Sequence, residues 1–248
     1  MQVKHVKTSI LASVLVIIVT FMFSSSIMAY SSNSLYDYDD MDELLSLMEP
    51  YIERMESAQR MEAAALELGY SDNHYVIQLA QKEYQEALEA CEPYQEAYED
   101  LQARWELKEQ EYPDATQIWS YLKNLGYNNY VCAGILGNIM AEAGGNTLYI
   151  QPLVQGGFYG ICQWNQAYSE VWGASLDEQL DFLRDTIEYE LDTFGYAYAK
   201  DFDYGAFLQL TDEQDAALAF SKCYERNAPE SYNIRKTNAT EALEYFTS

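Results

Sequence analysis

The stretch Val131-Cys-Ala-Gly-Ile-Leu-Gly-Asn-Ile-Met-Ala-Glu-Ala-Gly-Gly145 holds a single charged side chain, Glu142. With no polar face along its length, it reads as a helix buried on all sides. Asn128 or Asn129 supplies the N-cap, the helix runs from about Tyr130 to Ala143, and Gly144-Gly145 ends it. The small residues Ala133, Gly134, Gly137 and Ala141 let another backbone come close. Glycine inside a helix costs about 1 kcal/mol relative to alanine, so both glycines need a packing reason, and a central buried helix supplies one.

Glu142 falls in the last turn of this helix. The negative end of the helix dipole and the apolar neighbours Ile139 and Leu148 both oppose ionisation, which is expected to raise the carboxyl pKa. A carboxyl that keeps its proton at neutral pH can act as a general acid.

On either side the pattern is helix, loop, helix, with no convincing alternating strand. A first helix spans Asp114 to Leu125 and is closed by Gly126. Ser175-Leu-Asp-Glu178 is a capping box opening an amphipathic helix from Leu176 to about Phe194. Thr211-Asp-Glu-Gln214 is read as a second, opening a helix from Asp212 to about Glu225, and a last helix covers about Thr237 to Phe246. The fold class is therefore all-α.

Composition changes near Pro113. Only Gly69 lies between Asp37 and Glu111, and the other eleven glycines stand at or beyond Gly126. Upstream, Ala80, Tyr84, Ala87, Cys91, Tyr94, Tyr98, Leu101 and Trp105 recur at alternating spacings of three and four, the seam of a coiled coil. Met41, Leu44, Met48, Tyr51, Met55 and Ala58 do the same before the register slips onto Met61 and Ala65. Two such segments joined by Gly69-Tyr-Ser-Asp-Asn-His74 predict an antiparallel hairpin, with Gly69 ending the first arm and Ser71 or Asp72 capping the second. Arms of roughly thirty residues would extend about 45 Å. Pro50 and Pro93 lie almost equally far from the turn, so they are expected to face each other at one level and share a kink, with Pro50 a candidate first residue of a new helix. The Ala, Tyr and Met seam is a weak core. It suits a spacer, a docking surface for a protein partner, or a flap over a cleft.

At the start of the chain, Lys4, His5 and Lys7 precede an apolar run from Ile10 to Phe23 and then Ser24-Ser-Ser-Ile-Met-Ala29, the order of a secretory signal cleaved after Ala29. The run is shorter than the roughly 20 residues a stable membrane span requires, so membrane attachment is expected only if the segment stays uncleaved. The expected organisation is a signal peptide at 1–29, a linker at 30–36, a helical hairpin at 37–111 and a compact domain at 112–248.

The net charge is −26, and becomes −28 once the two signal lysines leave. Such a surface repels nucleic acid and also an anionic cell wall, unless divalent cations or salt screen it. With two histidines in all, one of them in the signal, a histidine-based metal site is disfavoured. The domain beyond Pro113 has no histidine, which excludes papain-like and Ser-His-Asp chemistry there. No cofactor or metal is expected.

Four groups of residues carry a family resemblance. Ala133-Gly-Ile-Leu-Gly-Asn138, Glu142 with Gly144, Gly157-Phe-Tyr-Gly-Ile161 with Gln163-Trp164, and Tyr224-Glu-Arg226 together resemble the phage-tail-type lysozyme domain. That domain is a branch of the lysozyme-like superfamily that includes goose-type lysozymes and lytic transglycosylases. The resemblance covers about residues 115 to 246. It implies a small lysozyme-like helical domain and a muramidase that cuts peptidoglycan glycan strands between N-acetylmuramic acid and N-acetylglucosamine, with Glu142 as the acid. It further implies a sugar cleft formed by Asn138, Tyr159, Gln163, Trp164, Tyr224 and Glu225, with aromatic rings against the sugars and Gln163 bonding an acetamido group. A secreted protein of a Gram-positive envelope, a phage or a conjugative element is the setting this suggests.

Three positions depart from the family pattern. Ala143 stands where serine is usual, Cys162 replaces a small apolar residue, and Asn165-Gln-Ala-Tyr-Ser169 lacks the arginine that often follows Gln-Trp. Because Cys162 and Cys223 fall in motifs lining one implied cleft, a Cys162–Cys223 disulfide is expected, while Cys91 and Cys132 either stay free or pair with each other. Glu225-Arg226 is expected to be an internal ion pair. Glycoside hydrolysis ordinarily uses two carboxylates. Asp177 or Glu225 could supply the second, or Glu142 could work alone, as in lytic transglycosylases. The rival from another class is an inactive wall-binding or scaffold protein acting through its hairpin.

Overall fold

A computed structural model describes residues 41–151, 157–165 and 167–248. The signal peptide and linker expected at 1–36 lie outside the described residues. Two long helices, α1 (Met41–Glu67) and α2 (Tyr75–Glu111), form an antiparallel hairpin. The remaining helices are α3 (Pro113–Asn124), α4 (Asn129–Ala143), α5 (Leu176–Phe194), α6 (Tyr204–Leu208), α7 (Glu213–Phe220) and α8 (Tyr232–Thr247). Two short strands, β1 (Phe158–Tyr159) and β2 (Trp164–Asn165), pair antiparallel with Tyr159 opposite Trp164. Two residues are too few to show alternation, so no sequence pattern marks these strands.

The hairpin buries Leu44, Met48, Ala58 and Ala65 of α1 against Ile77, Ala80, Ala87 and Cys91 of α2. Small residues at the seam bring the helices close, and the tyrosines stand half-buried at its edges. Gly69, with φ +83°, takes the left-handed conformation that ends α1. The N-cap of α2 is not Ser71 or Asp72. His74 fills that position, accepting a hydrogen bond from the Val76 amide at Nδ1 over 3.3 Å, while its ring stacks on Tyr70 at 3.9 Å. Both prolines lie inside continuous helices, so Pro50 does not start a new one. The rings of Tyr51 and Tyr94, each next to a proline, stack at 5.8 Å, which sets the two prolines at one level of the hairpin.

α2 continues into contact with the compact domain. Trp105 meets Phe246, which stacks on Trp119 at 4.6 Å, and Lys108 donates to the carbonyls of Phe246 and Ser248 at 3.2 Å each. In the domain, α4 is the buried axis, flanked by α7 and α8. A Cβ on Gly134 would lie 2.5 Å from the Ala216 side chain, and one on Gly137 would lie 2.5 Å from the Ala239 backbone nitrogen. The two mid-helix glycines therefore serve two different neighbours, α7 and α8, at contact too close for any side chain.

Helix starts follow local chemistry. Asn128 caps α4 by accepting from the Val131 amide at 3.0 Å, and Ser175 with Glu178 forms the reciprocal capping box of α5. The expected Thr211 box is absent, because Asp212 caps α7 alone, accepting from the Gln214 and Asp215 amides at 2.9 Å. α8 begins earlier than the pattern suggested. Its first turn follows a short turn at Pro229–Ser231 and brings Arg235 into the helix.

Candidate active site

The last turn of α4 delivers Glu142 to a buried cluster of charges. Its carboxylate forms an ion pair with Arg235 of α8. That arginine is only 4% exposed and donates from Nη1 to the Asn138 side-chain oxygen at 3.0 Å and the Asn138 carbonyl at 3.3 Å. With its amide turned to place oxygen toward the guanidinium, the orientation that satisfies both groups, Asn227 accepts from both terminal nitrogens at 3.2 and 2.9 Å. One guanidinium thus counters Glu142 and also bonds Asn138, one turn earlier on α4, through its side chain and main chain. The surroundings expected from Ile139 and Leu148 are corrected accordingly: the nearest partner of Glu142 is a cation. Its side chain remains 18% exposed, enough to meet a ligand.

Glu225 reaches the same cluster from another direction. α7 ends in a wider, π-helical turn over Ser221–Glu225, and Arg226 then takes a left-handed φ of 55°. Turns of this kind shift side chains out of α-helical register and recur at functional sites. Glu225 lines a cavity of about 110 Å³, and its Oε1 is buried with no hydrogen-bond partner among the described residues. Burial, and then the charge of Glu142, push this carboxyl up to about 8, against the opposing pull of Arg235, the Cys162 hydrogen bond and Arg226. Glu225 therefore carries a proton at neutral pH.

The expected Glu225–Arg226 ion pair does not form. Arg226 bonds Glu190 of α5 at 2.5 Å and lies over the Phe194 ring at 4.7 Å, because its left-handed backbone breaks the register between the two neighbouring side chains. Asp177, the other acid considered as a second carboxylate, lies away from the cluster and accepts from Gln117 at 2.5 Å.

Apart from Glu225, the proposed cleft residues divide into four groups. Asn138 is 0% exposed, with its amide donating to the Gly134 and Ala217 carbonyls and its oxygen taken by Arg235, so it supports the cluster and does not line a cleft. Trp164 and Tyr224 are buried and joined by an Nε1 to hydroxyl bond of 3.2 Å, with Tyr224 also bonded to Thr186 at 2.8 Å. Their edges line the cavity, but their polar atoms are committed within the fold. Gln163 lines the cavity with φ 48° and donates to the Gly160 carbonyl at 2.9 Å. Tyr159 stacks on Trp172 at 5.6 Å and stands outside the cavity wall.

The expected disulfide is also absent. All four cysteines are free and buried. The Cys162 thiol bonds the Glu225 carboxyl, whereas Cys223 is turned to the Gly195 carbonyl at 4.0 Å, so the two sulfurs serve different partners. Burial pushes the Cys223 thiol up to about 11 and Cys132 up to about 12, which keeps both in the unreactive protonated form.

A family model described as phage tail lysozyme matches residues 113–246, more than half of the chain. The chain belongs to the phage tail lysozyme family. A search of curated proteins finds no match to it. At the level of the family the activity is lysozyme-type breakdown of peptidoglycan, the work of a glycoside hydrolase or a lytic enzyme.

Within this phage tail lysozyme domain, reading the sequence missed five residues of the site. Arg235 is the chief one. Its signal was an arginine spaced three, four and seven residues before Asn238, Ala239 and Ala242, on the helix face that packs into the domain. Gln179 braces the loop before Trp164 by accepting from the Ile161 amide at 2.9 Å and donating to the Ala174 carbonyl at 3.0 Å. Phe158, Tyr168 and Glu190 also line the cavity; Phe158 lies within the Gly157–Ile161 motif but was not among the expected cleft residues, and no local pattern marked Glu190. Arg226 brings a guanidinium to the cavity.

Proposed function

We propose that this phage tail lysozyme is exported and cuts peptidoglycan glycan strands between N-acetylmuramic acid and N-acetylglucosamine, with Glu142 as general acid. The observation that carries this reading is the position of Glu142. It ends the central helix, is partly exposed, and sits in a cluster that also holds a protonated second carboxyl, Glu225. Protonation of the leaving oxygen lets the bond to the anomeric carbon break as the sugar takes on oxocarbenium character. Beside Glu225, the cavity offers aromatic edges from Phe158 and Tyr168, an amide from Gln163 and a guanidinium from Arg226, a mixture suited to a polar ring with an acetamido substituent.

The test is release of soluble muropeptides from isolated peptidoglycan by the purified protein. Glu142→Gln is expected to reduce release at least ~100-fold with unchanged circular dichroism, and full activity in that variant would refute the assignment. Mass spectrometry of the fragments distinguishes reducing ends, left by hydrolysis, from anhydro ends, left by transglycosylation. The charge of −26 opposes an anionic wall, so initial rates should rise as salt screens the repulsion from ~0.01 M toward ~0.15 M.

A further inference from the structure

We infer that Arg235 is the positioning residue of the acid: its guanidinium clamps one oxygen of Glu142, Oε1, so that the other, Oε2, is the oxygen that delivers the proton to the glycosidic bond. This rests on the proposed role of Glu142 and adds to it which atom reacts and what aims it. A glutamate side chain has three torsions to fix. Among the described residues, the hydrogen bond that holds the Glu142 carboxyl comes from α8, through Arg235.

The clamp is itself held on several sides. A guanidinium carries five N–H donors in a rigid fork and no acceptor. Nε faces Ser231 Oγ at 3.4 Å, Nη1 bonds the side-chain oxygen and the carbonyl of Asn138 at 3.0 and 3.3 Å, the Asn227 amide oxygen takes both terminal nitrogens, and Nη2 reaches Glu142 Oε1. Asn138 is fixed in turn, since its amide nitrogen donates to the Gly134 and Ala217 carbonyls at 2.8 and 3.0 Å. Helices α4, α7 and α8 thus converge on one buried guanidinium, and each of its nitrogens is engaged. Oε2 of Glu142, by contrast, bonds no described residue and is not a buried atom. It is the oxygen left open to a ligand.

The two oxygens therefore differ in chemistry. A guanidinium cannot accept a hydrogen bond, so a proton on Glu142 sits on Oε2. From there it passes to the glycosidic oxygen as the bond to the anomeric carbon breaks, with the electron pair of that bond remaining on the leaving oxygen. The carboxylate left behind meets a positive charge already in place on Oε1, which favours the transfer. The attacking hydroxyl, from water or from the sugar itself, then adds to the anomeric carbon, and the proton it loses returns to Oε2. Arg235 touches neither the sugar nor the reacting oxygen in this scheme, so its effect belongs in kcat and not in KM.

The test uses the full chain with Arg235→Lys, which keeps the charge and loses the fork. Its expected result in the folded variant is a kcat on peptidoglycan lowered roughly tenfold to a hundredfold with KM unchanged. In a Glu142→Gln background the same substitution is expected to add no further loss, because it acts through the acid. Wild-type kcat in Arg235→Lys, or losses that multiply in the double variant, would overturn the inference and leave Arg235 a packing residue. Should Arg235→Lys fail to fold, Asn227→Ala takes its place, since it loosens the guanidinium without removing it; kcat should then fall roughly threefold to tenfold, and an unchanged kcat overturns the inference. A second arm does not depend on activity. In protein labelled with carbon-13 at glutamate, side-chain couplings of Glu142 should report one rotamer in the wild type and an average of several in Arg235→Lys, or in Asn227→Ala where that variant replaces it. If the wild type releases nothing from peptidoglycan, the proposed function fails, and this arm still decides whether Arg235 aims the carboxyl. A Glu142 side chain equally ordered in wild type and variant shows that it does not.

Discussion

The hairpin and the lysozyme domain use the same ionic residues to different ends. On the hairpin, Arg54 reaches Glu83 at 2.9 Å across the two arms, with side chains 47% and 42% exposed. In the domain, Arg235 reaches Glu142 with side chains 5% and 18% exposed, and three further residues, Asn138, Asn227 and Ser231, are arranged around the guanidinium. Water screens the first pair and competes for its partners. The second pair has lost most of its water, so each member depends on the other. What separates a surface decoration from a site is therefore the number of protein groups committed to the charge, and the charge itself is no guide.

The largest effect should come from Arg235→Met. Removing the guanidinium strands the Glu142 carboxylate and the Asn138 oxygen in the interior, and stability should fall by about 3–5 kcal/mol, read from urea unfolding. A loss below about 1 kcal/mol would show that water reaches the cluster as freely as it reaches the hairpin.

Next comes the pH dependence contributed by Glu225. Its carboxyl stands at about 8 in the folded protein against an ordinary 4.5, so protonation favours folding. The contribution is complete below about pH 4.5 and is lost as pH rises through about 8, on the order of a few kcal/mol in all. Thermal unfolding followed across that window should show the decline in the wild type, and a flatter profile in Glu225→Gln.

Gly137→Ala should cost about 1–3 kcal/mol, since the new Cβ would collide with backbone of α8 that has no flexible end to give way. The higher helix propensity of alanine does not compensate. An unchanged urea midpoint would mean that α4 and α8 can separate at little cost. Smallest of all, Arg54→Ala should leave the unfolding midpoint at its wild-type value. A measurable drop there would make the hairpin more like the domain than its exposure implies.

How much was legible beforehand depended on how local each feature is. The capping box at Ser175 and the whole of α5 from Leu176 to Phe194 lie in one stretch, and both were readable. So were the hairpin, the glycine that ends α1 and the buried character of α4, each announced by spacing or by a residue type with a narrow conformational use. The early start of α8 and the π-helical end of α7 were not, since nothing in Ser221-Lys-Cys-Tyr-Glu225 distinguishes a π turn from another turn of α-helix. The residues expected to form a sugar cleft were chosen because their types suit one. Asn138, Trp164 and Tyr224 proved to spend their polar atoms inside the fold, a matter of partners distant in sequence.

From sequence alone came an all-α chain, its helical hairpin, its buried central helix and the placing of Glu142 at that helix's end, because periodicity, caps and glycines act over a few residues. Only the tertiary structure decided that Glu142 meets Arg235, that Glu225 is the second carboxyl of the cluster and that Cys162 serves Glu225 in place of a disulfide. The protonation of Glu225 follows from burial and from charges brought by α4, α8 and the loop between the strands. A short-range pattern cannot encode such a property, since no part of it exists until those elements pack together.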